Sequence, residues 1–251
     1  MPKFFVPPEH IFESKALIEG QEALHIYKTL RLKKGQKIHI FDGTGIDYFC
    51  EIQSIQKNLV EVNILDKYTS YTNPPIDVTI FQCLPKANKM DFIIQKTTEL
   101  GISTIVPVIS DRTVVKIESE KKLYARVERW KKIALEACKQ SNRSYIPNIY
   151  KILSFEDCFN TEMITNSQLL IVLWEEEKAK NLKDILRQNK NGLKRVCFFI
   201  GPEGGFIKEE VDLIIQRGGI AASLGPRILR TETAAITVLS ILMYELGDLG
   251  G

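Results

Sequence analysis

From residue 78 onward the chain alternates largely apolar runs of strand length with helical patterns, and no other feature narrows its fold as much. The runs are Val78 to Phe81, Ile105 to Ile109, Leu169 to Leu173, Val196 to Ile200 and Ile220 to Leu224. Between the first two, Met90, Ile93, Ile94, Thr97 and Leu100 recur at helical spacing. Further helical patterns cover roughly 121–140, 182–188 and 209–217, the last stopped by Gly218-Gly219. Alternating β and α predicts a parallel sheet with helices on both faces. A closing stripe of Ala235, Val238, Leu239, Leu242 and Leu246 predicts a last helix packed on the core or on a partner subunit.

The first seventy residues read differently. Ile38-His39-Ile40-Phe41 runs into Asp42-Gly43-Thr44-Gly45, followed by Tyr48 to Ile52 and Leu59 to Ile64. Short runs bounded by Asp-Gly and Lys-Asn turns are hairpin signals, and several in so short a stretch predict a small β-barrel. Residues 68–75, YTSYTNPP, are polar, aromatic and proline-ended, the best linker candidate. The expected organisation is therefore a barrel domain over 1–72 and an α/β domain over 73–251, in keeping with a 251-residue length and a prior of about 150 residues per domain.

Composition excludes several classes. A formal charge of +3 rules out a protein basic throughout, so any nucleic-acid contact needs local clusters. Two clusters exist: Lys28, Arg31, Lys33, Lys34 and Lys37 with no acid among them, and residues 86–143, where thirteen cations face seven anions. Such patches suit phosphate backbones, although a charge run is also an ordinary solvated face. No apolar run approaches the roughly 18 residues of a membrane span, and the start MPKFFVPPEHIFESK lacks the apolar region of a signal peptide. The expectation is a soluble cytoplasmic chain without a membrane partner. Five widely spaced cysteines without a C-x-x-C pair, and three histidines confined to the first forty residues, offer neither a disulfide framework nor a metal site.

The chemistry-bearing segment is VCFFIGPEGGF, Val196 to Phe206: an apolar strand, then Gly201-Pro202-Glu203-Gly204-Gly205, then an acid-rich helix start. Ligands of open α/β sheets sit beyond the carboxyl ends of strands, and glycines there admit close backbone approach. The loop matches neither the dinucleotide fingerprint nor the P-loop, and Glu203 would repel a pyrophosphate. A second strand leads into Gly225-Pro226-Arg227-Ile228-Leu229-Arg230 and the helix start Thr231-Glu232-Thr233-Ala234. Each loop could also be a simple tight turn, and Arg227 and Arg230 simple solvated cations. Two such loops after two strands make the better site candidate.

In the order and spacing in which they occur, IGPEGGF and LGPRILRTETA resemble the 16S ribosomal RNA uridine N3-methyltransferases of the SPOUT superfamily. The likeness extends to Phe4-Phe5-Val6, the His25 to Gly35 block, Asp42-Gly43, Pro85-Lys86, Gln95 to Gly101, Arg112 to Lys116, Glu136-Ala137, Gln140-Ser141 and Arg143. It implies a PUA-like β-barrel before a parallel-sheet α/β domain tied in a deep trefoil knot, a rare exception to chain-threading rules. It also implies a homodimer, S-adenosylmethionine as cofactor, and 16S rRNA or the small ribosomal subunit as partner. The implied cofactor residues are Leu173, Ile200, Gly201, Pro202, Glu203, Gly204, Gly205, Leu224, Gly225, Ile228, Leu229, Thr233 and Ala234. Arg230, Arg112 and Glu232 become the catalytic candidates: methylation at N3 needs a deprotonated, unpaired uracil edge whose charge is met by fixed cations. Glu232 or Glu203 would take the proton or hold an arginine. Lys28, Arg31, Lys33, Lys34, Lys86, Lys89, Lys96 and Arg143 become the RNA-binding candidates.

Two departures stand out: the helix after Gly205 begins Phe206-Ile207-Lys208, without the Ser or Thr cap often found there, and Trp174 stands where some relatives carry histidine. The competing reading is a non-catalytic RNA-binding or ribosome-assembly factor with purely structural glycine loops. A nucleotide-dependent oxidoreductase is disfavoured by the absent dinucleotide fingerprint.

Overall fold

The computed structural model describes residues 1–114, 119–189 and 192–250; Val115 and Lys116, part of the quoted likeness, lie outside them. The chain divides into two compact units, Met1–Asn73 with Leu135–Ile146, and Pro74–Ala134 with Pro147–Gly251.

The first unit contains β1 (Lys3–Phe5), β2 (Lys15–Glu19), α1 (Gly20–Leu24) continuing into a π-helical stretch His25–Leu30, β3 (Lys37–Phe41), β4 (Ile46–Ile55) and β5 (Leu59–Thr69). Its five strands pair in the order β1-β3-β4-β5-β2. The β3–β4 turn is held by Asp42, whose Oδ1 accepts the Thr44 N–H at 2.8 Å and its hydroxyl at 2.7 Å, a side-chain turn typical of Asp. Alternate residues Ile38 and Ile40, Cys50 and Ile52, Val60 and Val62 point into one core with Phe4, Ala16, Ile18 and Ile26. Tyr68 and Thr69 complete β5 opposite Asp47 and Ile46, so the stretch read as a linker begins inside a strand. The helical segment was not foreseen. Only Ala23 and Ile26 of it are fully buried, a stripe too thin to read as a period.

Residues 135–146 cluster with this unit although they follow the 72/73 boundary read from the sequence. Polar anchors explain it. The Lys3 ammonium lies 2.8 Å from the Asp47 carboxylate and donates to the Asn142 carbonyl and the Ser144 hydroxyl, and Ser144 donates on to Asp47 at 2.8 Å. Lys139 pairs with Glu22 at 2.6 Å. Contacts 97 to 141 residues apart leave no local pattern.

The second unit runs β6 (Asp77–Cys83), α2 (Lys89–Glu99), β7 (Thr104–Ile109), α3 (Glu120–Gln140, whose last turn belongs to the first unit), β8 (Asn148–Ile149), β9 (Leu153–Ser154), α4 (Glu162–Thr165), β10 (Leu169–Leu173), α5 (Leu182–Asn189), β11 (Arg195–Ile200), α6 (Lys208–Gln216), β12 (Ile220–Ala222) and α7 (Thr231–Leu246). Its strands pair in parallel in the order β12-β10-β11-β6-β7-β8, with β9 also on β7. The predicted parallel sheet is thus present. The strand read as Ile220 to Leu224 ends at Ala222, because the Ser223 hydroxyl accepts the Gly225 N–H at 3.1 Å and turns the chain.

Successive strand residues feed two cores, as a sheet covered on both faces requires. Val78, Ile80, Ile171, Val196 and Phe198 pack with α2, α3, α5 and α7. Phe81, Cys83, Val106, Val172 and Phe199 pack with Phe155, Phe159, Phe206 and α6. Phe199 stacks on Phe81 at 4.5 Å between centroids and on Phe159 at 5.9 Å. The start of α6, lacking a Ser or Thr cap, is satisfied by Glu210, which accepts the Ile207 N–H at 3.0 Å and the Asp111 N–H at 2.9 Å. Burial raises the Glu210 carboxyl above its usual 4.5, although those two N–H groups pull it the other way.

Two outcomes follow from this packing. Phe199→Ala, emptying a fully buried ring position, should destabilise the chain by about 3–5 kcal/mol, read as a lowered denaturation midpoint with an unchanged slope. Because the folded state raises the Glu210 pKa, its stability contribution is full below pH 4.5 and declines as pH rises through the raised value. Glu210→Gln should therefore flatten the pH dependence of the melting temperature above pH 4.5; a variant with the wild-type profile would exclude Glu210 as its source.

Candidate active site

The parallel strands β12, β10 and β11 are neighbours, with Leu173 opposite Ala222 and Val172 opposite Phe199. Their carboxyl ends are therefore nearly level, and the loops leaving them emerge side by side. Leu173, half-buried, and Ile200, buried, are the last residues of β10 and β11. Gly201 to Gly205 follows Ile200, closed by the Gly205 N–H on the Pro202 carbonyl at 3.0 Å. Gly205 has φ +70, a left-handed backbone that favours glycine, and a Cβ there would stand 3.1 Å from the Glu175 carboxylate.

After β12, Leu224 is half-buried and Gly225 to Ile228 are exposed. Gly225 has φ +107 and opens on free space, with nothing within 4 Å of where a Cβ would stand, and Ile228 is 84% exposed. Leu229 and Ala234 are half-buried, and Thr233 is exposed on the first turn of α7.

Two polar bridges tie these loops together. Thr231, the first residue of α7, donates its hydroxyl to the Gly201 carbonyl at 2.7 Å and accepts from the amide of fully buried Gln82 at 3.0 Å. Lys89, the first residue of α2, lies 2.9 Å from Glu203 and 3.3 Å from Glu232. The Glu203 carboxylate also accepts the Lys86 N–H at 3.1 Å. Partial burial pushes the Glu203 carboxyl up, but Lys89 and backbone N–H groups outweigh it and hold it below the usual range. The same pair raises the Lys89 ammonium, with Glu203 the largest cause. Glu203 and Glu232 are therefore held by a lysine, where the sequence reading offered an arginine.

Arg112, in the loop after β7, donates to the Gly204 carbonyl at 2.7 Å and packs its chain against Gly204. Arg230 occupies the N-cap position of α7, with its side chain exposed and no ion pair among the described residues. The structure thus gathers Arg112, Glu203, Arg230 and Glu232 around the paired loops. Thr231, Gln82 and the Lys89 bridge were not read as site members: Thr231 and Gln82 act through a hydrogen-bond chain that joins residues 149 apart.

The RNA-binding candidates divide. Lys28, Arg31, Lys33 and Lys34 are exposed in the first unit, and Lys86 is exposed in the second. Lys96 is paired with Glu99 at 2.9 Å one helical turn away. Arg143 is only 3% exposed, with its guanidinium over the Tyr145 ring at 5.7 Å. Lys89 faces the Glu203 and Glu232 carboxylates.

All five cysteines are buried, and burial pushes the Cys138 and Cys197 thiols up to about 11, far from a thiolate nucleophile. Among the described residues no group of three or more His, Cys, Asp or Glu is placed to hold a metal ion, and no helix is long and apolar enough to cross a membrane.

Comparison with known proteins agrees with this arrangement. A profile of the RNA methyltransferase domain matches residues 72–243, and one of the RNA methyltransferase PUA domain matches residues 18–65. The ribosomal RNA small subunit methyltransferase E of Bacillus subtilis (strain 168) is 34% identical over 238 residues, covering 93% of this chain and 91% of that protein. Its namesake in Aquifex aeolicus (strain VF5) is 31% identical over 240 residues, covering 93% and 99%. The crystal structure of a ribosomal RNA small subunit methyltransferase E from Neisseria gonorrhoeae, bound to S-adenosyl methionine, matches with a TM-score of 0.86 and 30% identity over 99% of each chain. The resemblance carried by the glycine loops is therefore borne out: this chain belongs to the RNA methyltransferase family that joins a PUA domain to an RNA methyltransferase domain.

Proposed function

We propose that this protein transfers a methyl group from S-adenosylmethionine to N3 of a uridine in the 16S rRNA of the small ribosomal subunit, acting in the cytoplasm as a homodimer. On this reading the C-terminal segment of the second unit forms the trefoil knot that the sequence resemblance implies. The observation that carries the proposal is the pairing of two glycine loops at level strand ends, locked by Thr231 on Gly201.

The residues present suit the cofactor. Leu173, Ile200, Leu224, Ile228 and Leu229 supply apolar contacts, and the Gly201–Gly205 and Gly225 backbones supply donors and acceptors without side chains in the way. Glu203 within the first turn and Glu175 beside Gly205 place carboxylates against that loop, which disfavours a phosphate there. S-adenosylmethionine supplies a methyl group on a sulfonium. Pro202, Glu203, Gly204, Gly205, Thr233 and Ala234 complete the residues that hold it.

Arg230 is the group that meets the negative charge developing along the uracil O2, N3 and O4 edge. It is exposed at the start of α7 and spends no hydrogen bond on an ion pair among the described residues. Arg112 gives one N–H to Gly204 and keeps others for the base or the loop. Glu232, in the first turn of α7, is the acceptor of the N3 proton on this reading, while Glu203, held ionised below the usual carboxylate range, is a weak base. The exposed cations Lys28, Arg31, Lys33, Lys34 and Lys86, with Lys96, hold the RNA backbone.

Arg230→Ala should keep S-adenosylmethionine affinity in calorimetry and lose methyl transfer by about 10²–10³, the usual cost of one charge-stabilising donor. Lost cofactor affinity with normal turnover at saturation would reverse the assignment. Lys33→Glu with Lys34→Glu should weaken RNA binding and lower its salt dependence while cofactor affinity stays the same. Unchanged RNA affinity at low salt would remove this strip from the interface.

A further inference from the structure

Lys89 stands at the first position of α2, where a cation meets the positive end of the helix dipole and weakens the helix. Nothing local favours it there. Its ammonium instead reaches two elements distant in sequence: Glu203 in the loop after β11, at 2.9 Å, and Glu232 in the first turn of α7, at 3.3 Å. The three side chains are 30%, 26% and 15% exposed, so the pairing is partly shielded from water. The Lys86 N–H adds a second hold on Glu203 from the segment leading into α2. One ammonium thus joins the first glycine loop to the start of the helix that follows the second, within the site the proposed function requires.

We propose that Lys89 is a positioning residue that holds the Gly201–Gly205 loop and the start of α7 at the separation S-adenosylmethionine requires, and does not contact RNA. The inference rests on the proposed function, since it gives the clamp its purpose. A loose loop pair must be ordered when the cofactor binds, and that ordering subtracts from affinity. A clamp formed in advance removes this cost. Glu203 then serves as the clamp's anchor in the first loop, which accounts for a carboxylate in a turn otherwise made of Gly and Pro.

The test compares wild type with Lys89→Met and Lys89→Arg, measuring S-adenosylmethionine affinity by calorimetry and RNA affinity by filter binding at two salt concentrations. Lys89→Met should lose about tenfold in cofactor affinity, the scale on which supporting residues act behind ligand groups, with RNA affinity and salt slope unchanged. Lys89→Arg, keeping the charge, should recover most of the loss. Weakened RNA binding with a salt slope reduced by about one and intact cofactor affinity would make Lys89 an RNA contact and overturn the inference alone. A wild type that fails to bind S-adenosylmethionine would overturn the proposed function and this inference with it. A thermal unfolding cycle of Lys89→Met, Glu203→Gln and the double variant checks the clamp without cofactor: the double variant should lose little beyond Lys89→Met, and strictly additive losses would show that no clamp exists.

Discussion

Strand β11 lies between β6 and β10 and pairs in parallel with both, over six residue pairs on one side and four on the other. The site depends on this insertion. It brings the loop after β11 beside β10 and β12, and it places the end of β6, with Gln82 and the approach to Lys89, on the opposite flank. Parallel pairing makes every strand in the group end at the same edge of the sheet, where ligands of open α/β sheets bind. The rings of Phe81, Phe199 and Phe159 stack in the buried core against these strands. Backbone glycines can then be presented to a ligand because their supporting strands are rigid.

Electrostatics divides the labour within that frame. At the glycine loops the carboxylates of Glu175, Glu203 and Glu232 are interspersed with the cations Lys89, Arg112, Arg227 and Arg230. In the first unit the exposed cations from Lys28 to Lys34 are concentrated on a helical stretch and the loop after it. The formal charge of the whole chain, +3, conceals both arrangements. An anionic polymer can thus meet a locally basic strip on a chain whose total charge is small.

Much of this was legible in the residues. The runs Leu169 to Leu173 and Val196 to Ile200 became β10 and β11, since a strand buried on both faces is apolar throughout and interrupted by nothing. The Met90 to Leu100 period became α2 because its buried face repeats at helical spacing. The Gly-Pro loops were legible for the same local reason: a turn that leaves a buried strand writes its glycines where the apolar run stops. What stayed hidden acts across distance. Lys3, Asp47 and Ser144 draw residues 135–146 into the first unit, and Thr231 reaches Gly201 across thirty residues. The burial of Arg143 and the carboxylate partners of Lys89 were hidden too, because a sequence displays charge but neither burial nor partner. The short β12 ended early where Ser223 leaves β10 to bridge Asn181 and its hydroxyl takes the Gly225 N–H.

The most direct measurement is to incubate small ribosomal subunits from cells lacking this protein with methyl-labelled S-adenosylmethionine and the purified chain, then map the labelled nucleotide and the labelled atom. The account predicts label at N3 of a single uridine of 16S rRNA, lost with Arg230→Ala. Label on a ribose oxygen or another base, or RNA binding with no transfer, would contradict it.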